Sequence, residues 1–492
     1  MPHVKRSGFV VAMCFTATWA FSVHAGADML RDKADAYLEF FLAHHAPGLG
    51  GVVNEVEFAD ELRADAVCLR GIGDATSWSG IAAGVVAMRH LLEPTDETLA
   101  DLLFFTGYLH DAKAVTQTPG YIARYVAPDE LPFNCETPSG GEWDVPGEGE
   151  YAGYFWIGNT SRDQYVGWFW GNTWAAEALA GEDDPTARAA LETIRDDMRD
   201  VIATLVDQDW WIVDQDGRID GNGAAFVEPF RRLSWLTQAA AVTGDAWIEA
   251  ELESRRGRIL AQLPIDVWAW PNTYAEYYGF HLLYLEFDAI FRLRPAGAEL
   301  ARVFDIWDDN VRRYSAWTHN PWFDAMYLAA CDRLGRCRED RDAIAADLRT
   351  SLGVMRDAPN AKVRVEPPQL PLDPFSVWAH DLLAGSSLLE DLWDIDPQTA
   401  EPHFVENRCW TDFLWQRSPY HIDCGETDDN PLKTAPGLDY LLPYWMAATH
   451  GLLPEAFRSD DEPDLGDPVS DAGSPPFSDP DDEDEEPRRC GA

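Results

Sequence analysis

The feature that most constrains the fold is a pattern of glycines that occurs twice. The pattern aromatic-x-Gly-x-x-x-Gly lies at residues 165–171 and again at 78–84, and a partial copy begins at Tyr277. Glycines four residues apart line one face of a helix, although each costs about 1 kcal/mol relative to alanine. Close approach of a neighbouring backbone can offset this cost. The pattern therefore predicts helices that pack tightly against each other.

Apolar residues recur at helical spacing along most of the chain. Strand signals are few, and the best of them predicts a hairpin or protruding loop over residues 210–219. Acidic residues in this loop are typical of a turn, because their order does not fit a calcium loop. We predict helices near residues 29–45, 76–93, 96–110, 161–181, 184–206, 228–243, 245–262, 274–294, 297–316, 321–334, 338–355, 373–385, 404–416 and 438–452.

Two of these helices begin with polar residues next to aromatic ones. Ser161 is a good N-cap, and Asp163 falls in the first turn, where the helix dipole favours a carboxylate. Asp74 precedes the helix that carries the other glycine pattern. In one interpretation the two carboxylates are helix caps and nothing more. In the other, the two helix starts also face one shared cavity. The two interpretations are compatible.

Composition and the chain ends predict three parts. Residues 1–27 are predicted to be a secretory signal, with an apolar run after Lys5 and Arg6 and small residues before a cleavage position. Residues 28–455 are predicted to form one helical domain, since 46% hydrophobic content suffices for a large core. Residues 456–492 are predicted to be a disordered acidic tail, because they contain little to bury.

Seven cysteines remain if the signal, with Cys14, is removed. Export would allow disulfides, and proximity in sequence favours two bridges, Cys331–Cys337 and Cys409–Cys424. Cys68 and Cys135 are left as a third pair and Cys490 as the odd thiol, although sequence alone does not fix the connectivity. Metal binding is the weaker interpretation of these cysteines, because no Cys-x-x-Cys pair is present.

The formal net charge of −47 excludes most polyanionic partners. A nucleic acid would be repelled by such a surface. No later stretch reaches the ~20 apolar residues that a membrane span needs. Motifs for phosphate binding, zinc proteases and serine hydrolases are absent from the sequence, and we predict no cofactor or metal. The oligomeric state is not predicted.

The helix succession and two motifs carry a family resemblance. Asp74-Ala-Thr-x-Trp78-x-Gly80 and Ser161-Arg-Asp-Gln-x-x-Gly167 look like motifs of uncharacterised secreted bacterial proteins. Those proteins resemble the (α/α)6-barrel proteins that act on carbohydrates. The resemblance implies an all-α toroid of six helical hairpins and a glycan ligand at its central mouth. It also implies an enzyme of the glycoside hydrolase or polysaccharide lyase type.

Glycosidic cleavage requires two carboxyl groups across a sugar, and this chemistry selects the candidate catalytic residues. Asp163 and Asp74 come first, followed by Glu276 with His281, and then Asp324. A hydrogen-bonded core histidine is the plainer interpretation of His281. The alternative function is a non-catalytic helical binding or scaffold protein of the cell exterior. Candidate substrate contacts beside the helix starts are Arg162, Trp78, Tyr165, Trp168, Trp170, Tyr277 and Trp322.

Overall fold

A computed structural model describes most of the chain. The described ranges are 29–131, 144–224, 229–266, 277–383, 396–409, 418–424 and 429–453. The predicted signal, the predicted tail, Cys135 and Glu276 lie outside these residues.

The described residues are mostly helical, as the sequence predicts. Most predicted and observed helix bounds differ by a few residues. The helix predicted at 297–316 is regular only to Trp307 and continues as a π-helical stretch at Asp308–Arg312 and a last turn at Arg313–Ser315. The helix predicted at 404–416 is replaced by a short 3₁₀ turn at Val405–Asn407, its remainder falling largely outside the described residues. The helices are α1 (29–44), α2 (Ala75–Leu92), α3 (Asp96–Ala114), α4 (Arg162–Leu179), α5 (Pro185–Asp207), α6 (Pro229–Thr243), α7 (Ala246–Asp266), α8 (Tyr278–Leu293), α9 (Ala298–Trp307), α10 (Pro321–Leu334), α11 (Arg341–Val354), α12 (Pro374–Leu383) and α13 (Leu438–Thr449).

Three small antiparallel sheets accompany the helices. Their strands are β1 (Glu55–Phe58), β2 (Ala66–Arg70), β3 (Tyr125–Pro128), β4 (Asp144–Pro146), β5 (Tyr154–Ile157), β6 (Trp211–Val213), β7 (Ile219–Ala224), β8 (Asn360–Lys362) and β9 (Asn430–Ala435). The strand orders are β2-β1-β9-β8, β3-β5-β4 and β6-β7.

The β6–β7 pair is the hairpin that the sequence predicts. Asp214 Oδ1 accepts the backbone N–H groups of Asp216 at 2.9 Å and Arg218 at 2.8 Å. This carboxylate therefore closes a turn, as its sequence order indicates. The other two sheets were not predicted.

The helices fall into two classes by burial. In α4 every residue from Gln164 to Ala176 is buried, which is the pattern of a helix surrounded by protein. In α5 the buried side chains form one stripe that includes Leu191, Ile194 and Met198. Helices α2, α8, α10 and α13 resemble α4, and they supply much of the core.

The largely buried helices contact one another in chain order. Each helix contacts the next one in the series α2, α4, α6, α8, α10 and α13, and α13 contacts α2. Helices α3, α5, α7, α9 and α11 alternate with them along the chain, and each contacts the helix before it.

The α2–α4 contact is made by the predicted glycine faces. A Cβ atom on Gly80 would lie 2.0 Å from the carbonyl oxygen of Gly167. A Cβ atom on Gly171 would lie 2.3 Å from the carbonyl oxygen of Gly80. A Cβ atom on Gly84 would lie 2.1 Å from the ring of Trp170, which occupies the space beside that glycine. The two backbones therefore touch, which confirms the tight packing predicted from the glycine spacing.

Disulfides join both pairs of cysteines that are close in sequence. Cys331 is bonded to Cys337 and Cys409 to Cys424, as predicted. Cys68 is also disulfide-bonded, while its predicted partner lies outside the described residues. No helix in the described ranges is both long and apolar enough to cross a membrane.

The glycine contact generates a stability prediction. Gly80→Ala should lower the free energy of unfolding by about 1–3 kcal/mol, because the added methyl group meets a backbone oxygen that no rotamer change can move. Gly107→Ala is the matched control, since Gly107 also lies in a helix and a Cβ there meets nothing within 4 Å. It should be neutral or stabilising by up to about 1 kcal/mol. Equal thermal melting of the two variants would contradict the backbone contact.

Candidate functional site

Asp74 lies at the start of α2, but it does not cap that helix with its side chain. Its Oδ1 atom accepts hydrogen bonds from Nε2 of Gln164 at 3.0 Å and from Nη1 of Arg124 at 3.3 Å. Arg124 is fixed in turn, because it also donates to the carbonyl oxygens of Gly73 and Asn159. The carboxylate is therefore oriented by two other segments of the chain.

Gln164 performs the capping that Asp74 does not. Its Oε1 atom accepts the backbone N–H of Ser77, in the first turn of α2, at 3.1 Å. The first N–H groups of a helix have no partner within the helix, so this bond satisfies one of them. The buried Gln164 side chain therefore links the N-terminus of α4 to the N-terminus of α2.

Asp163 lies in the first turn of α4 and points to the next helix of the succession. Its Oδ1 atom accepts from Nη1 of Arg231, in the first turn of α6, at 3.2 Å. The Asp163 side chain is 30% exposed, whereas that of Arg231 is only 6% exposed. A mostly buried arginine therefore holds a carboxylate that remains open to solvent on one side.

Ser161 occupies the predicted N-cap position of α4 with an extended backbone. Its hydroxyl makes no capping hydrogen bond within the described residues. The first turn of α4 therefore relies on the Asp163 carboxylate for electrostatic compensation of the helix dipole.

Asp74 and Asp163 influence each other electrostatically. Partial burial raises the pKa of the Asp74 carboxyl, the negative charge of Asp163 adds to the rise, and Arg124 opposes it. The Asp74 side chain is still 46% exposed, so solvent screens much of this effect. The structure thus brings two accessible carboxylates together at neighbouring helix N-termini, where the helix dipoles favour negative charge.

The third predicted cluster is more deeply buried. His281 is 3% exposed, and its ring stacks on Trp322 with centroids 5.4 Å apart. Tyr277 donates its hydroxyl hydrogen to Thr318 Oγ1 at 3.2 Å. This environment matches the plainer interpretation of His281 as a core histidine.

Most of the predicted substrate contacts prove to be core residues. Tyr165, Trp168, Trp170 and Trp322 have 0% exposure, and Tyr277 has 3%. The indoles of Trp168 and Trp170 donate to Leu109 O and Asp288 Oδ2, each at 2.8 Å. Rings that pack on protein on both faces offer no face to a sugar, which corrects the expectation that they bind substrate. Their aromatic spacing reflects core packing.

Two predicted contacts lie in the first turns of the helices that carry the carboxylates. Arg162, the first residue of α4, is partly exposed, whereas Trp78, in the first turn of α2, is buried, with 8% exposure. Arg162 directly precedes Asp163, and Trp78 follows Asp74 by about one helical turn. Arg162 is therefore the predicted substrate contact whose exposure is compatible with a ligand at the carboxylates.

Sequence reasoning did not identify three residues that position the carboxylates. Gln164 lies within the motif at residues 161–167, whereas Arg124 and Arg231 lie far from it in sequence. No local pattern marks either arginine. Only the packing of α2, α4 and α6 brings them to the site.

The described residues contain no group of three or more histidine, cysteine, aspartate or glutamate side chains arranged to hold a metal ion. The carboxylates of the site have arginine and glutamine partners instead. Their surroundings suit proton transfer and hydrogen bonding to a polar ligand.

Comparison with known proteins gives little support for any assignment. No protein-family model matches the chain, and no curated protein sequence matches it. A solved structure described as Bacteroides ovatus GH9 is similar over 86% of this chain and 83% of that chain. The sequences are 12% identical and the TM-score is 0.39, a value too low for the likeness to carry an argument.

The coupling of the two carboxylates can be tested without a substrate. Asp163→Asn should lower the pKa of Asp74, because it removes a negative charge that opposes ionisation. A ¹³C NMR titration of labelled aspartate carboxyls measures this shift, and Asp74→Asn identifies the signal. Asp216→Asn, in the exposed β6–β7 turn, is the control and should leave that pKa unchanged. Identical titration of Asp74 in both variants would show that the carboxylates do not interact.

Proposed function

We propose that this protein is exported and cleaves a glycan with the carboxyl groups of Asp74 and Asp163. The ligand binds at the N-terminal ends of α2, α4 and α6, with Arg162 beside it. Cleavage proceeds by hydrolysis or by elimination. The observation that carries the proposal is the pair of partly exposed, electrostatically coupled carboxylates on adjacent helix starts.

The proposed architecture is an (α/α)6 toroid. Helices α2, α4, α6, α8, α10 and α13 form its inner wall, and α1, α3, α5, α7, α9 and α11 form its outer wall. The contact of α13 with α2 supports closure of the inner wall. Two contacts between α4 and α8 support parallel inner helices. Trp170 donates to Asp288 near the middle of both helices, and Glu177 pairs with Arg292 near both C-terminal ends.

The two carboxyl groups have different surroundings, which suggests different roles. Asp74 has a raised pKa, so it retains a proton to higher pH and suits a general acid. Asp163 is paired with Arg231, which suits a carboxylate acting as base or nucleophile. Glycosidases use such a division between two carboxyl groups. In an elimination, Asp163 would accept the proton and Asp74 would protonate the leaving oxygen.

Export is part of the proposal because several features are compatible with it. Disulfides join Cys331 to Cys337 and Cys409 to Cys424, and Cys68 forms another. Disulfides persist in oxidising compartments. The predicted signal at residues 1–27 supplies a route to such a compartment.

The test is turnover by carboxylate variants. Wild-type protein is screened against neutral and uronic-acid polysaccharides, with new reducing ends marking cleavage and ultraviolet absorbance marking the unsaturated product of elimination. Asp163→Asn and Asp74→Asn should each lower kcat by about 100-fold or more, because an amide cannot exchange the proton. Melting temperatures should stay close to that of the wild type.

Asp216→Asn is the matched control and should keep full activity, since this exposed turn residue lies on the hairpin. Full activity of Asp163→Asn would remove that residue from the chemistry. Binding of a glycan without any turnover by the wild type would favour the non-catalytic alternative.

A further inference from the structure

The loop at residues 316–320, which leads into α10, has an unusual backbone. Trp317 has φ of +60° and His319 has φ of +53°. The left-handed region is costly for residues with a Cβ atom, at about 1–2 kcal/mol each, and it is rare for bulky side chains. Two such residues on either side of Thr318 require surrounding contacts that hold them in place.

Thr318 supplies the first set of these contacts. Its hydroxyl donates to Ser315 O at 2.7 Å and accepts from the Tyr277 hydroxyl at 3.2 Å. Its carbonyl oxygen accepts from the buried guanidinium of Arg408. Three separate segments therefore fix the centre of the loop.

The residues after Thr318 are also turned inward. His319 Nδ1 lies 2.7 Å from Asp347 Oδ1 of α11, and its ring meets Phe404 edge-on with centroids 4.7 Å apart. Asn320 Oδ1 accepts the backbone N–H of Trp322 at 3.2 Å and caps α10. The loop is thus held rigidly on its inner side.

Trp317 is the residue that this arrangement turns outward. It is 45% exposed, whereas eight tryptophans are among the largest fully buried side chains of the described residues. The other exposed tryptophans there, Trp247 and Trp378, belong to regular helices without left-handed backbone. An exposed indole contributes little to the fold, and asparagine or glycine would adopt this backbone with less strain. Left-handed backbone alone does not expose a tryptophan, since Trp210 has φ of +67° and is 1% exposed. At Trp317 the ring is exposed because its neighbours Thr318 and His319 are held inward.

The loop lies at the same end of the helices as the two carboxylates. Thr318 contacts Tyr277, which directly precedes α8. Helices α2, α4 and α6 meet at their N-terminal ends through Gln164, Asp163 and Arg231. Because α4 and α8 are parallel, the N-terminus of α8 is on that side as well.

We propose that Trp317 is a stacking platform for a sugar ring of the glycan, at a subsite separate from Asp74 and Asp163. This inference rests on the proposed function. The apolar face of a pyranose would pack on the indole, and the rigid loop would lower the entropy lost on binding. The His319–Asp347 contact holds the inner side of this loop.

The experiment measures binding and stability of the same variants. Calorimetry uses cello-, xylo-, manno- and chitohexaose and a galacturonate oligomer, with full-length Asp163→Asn protein as the parent to prevent turnover. Adding Trp317→Asn should weaken the Kd of the bound oligosaccharide about fivefold to tenfold. Its melting temperature should be equal or higher, because asparagine tolerates the left-handed region. Trp317→Phe keeps a ring and should bind within about threefold of the parent.

Trp247→Asn is the control, because Trp247 is 41% exposed on α7 and the chemical change is the same. It should leave the Kd unchanged. Parent-like binding by Trp317→Asn would overturn the platform alone. A lower melting temperature together with equal losses of binding in Trp317→Asn and Trp317→Phe would show a structural role. Failure of both the wild type and the parent to bind or cleave any probe would overturn the proposed function and the platform together.

Discussion

The backbone contact between α2 and α4 is the interaction on which the candidate site depends. Gly80 and Gly167 have no side chains, so the two helices touch where any Cβ atom would collide. Only at this separation can Gln164 reach from α4 to the first turn of α2 and to Asp74. Side-chain volume added at the glycine face would move the carboxylates apart. The close packing of α2 and α4 therefore determines the geometry of the site.

Two adjacent helix N-termini create an electrostatic problem that the site residues resolve. Parallel helices place like dipole ends side by side, and carboxylates at those ends compensate for them. Asp74 and Asp163 also repel each other, and Arg124 and Arg231 balance that repulsion. The pair therefore combines partial exposure with a raised pKa for Asp74. Such an unequal pair is the usual arrangement for acid–base chemistry.

Local features of the sequence were good predictors, and non-local ones were not. The bounds of α10 match the prediction, because Asn320 caps it, Pro321 starts it and Gly335 ends it in a left-handed conformation. The glycine faces were recognisable from spacing alone. By contrast, β1 pairs with β9, a strand from the other end of the chain, and no periodicity reveals such a partner. The burial of Trp168 and Trp170 was not foreseen either, because an aromatic beside a polar helix start can face the core or the solvent.

The central claim is that Asp74 and Asp163 act together on one ligand. A double-mutant cycle in turnover tests it most directly, using Asp74→Asn, Asp163→Asn and the double variant on the same glycan. Residues that act as a unit give non-additive losses. The account predicts that the double variant is about as slow as the slower single variant. Losses that multiply in the double variant would show that the two carboxylates act independently, and would contradict the shared site.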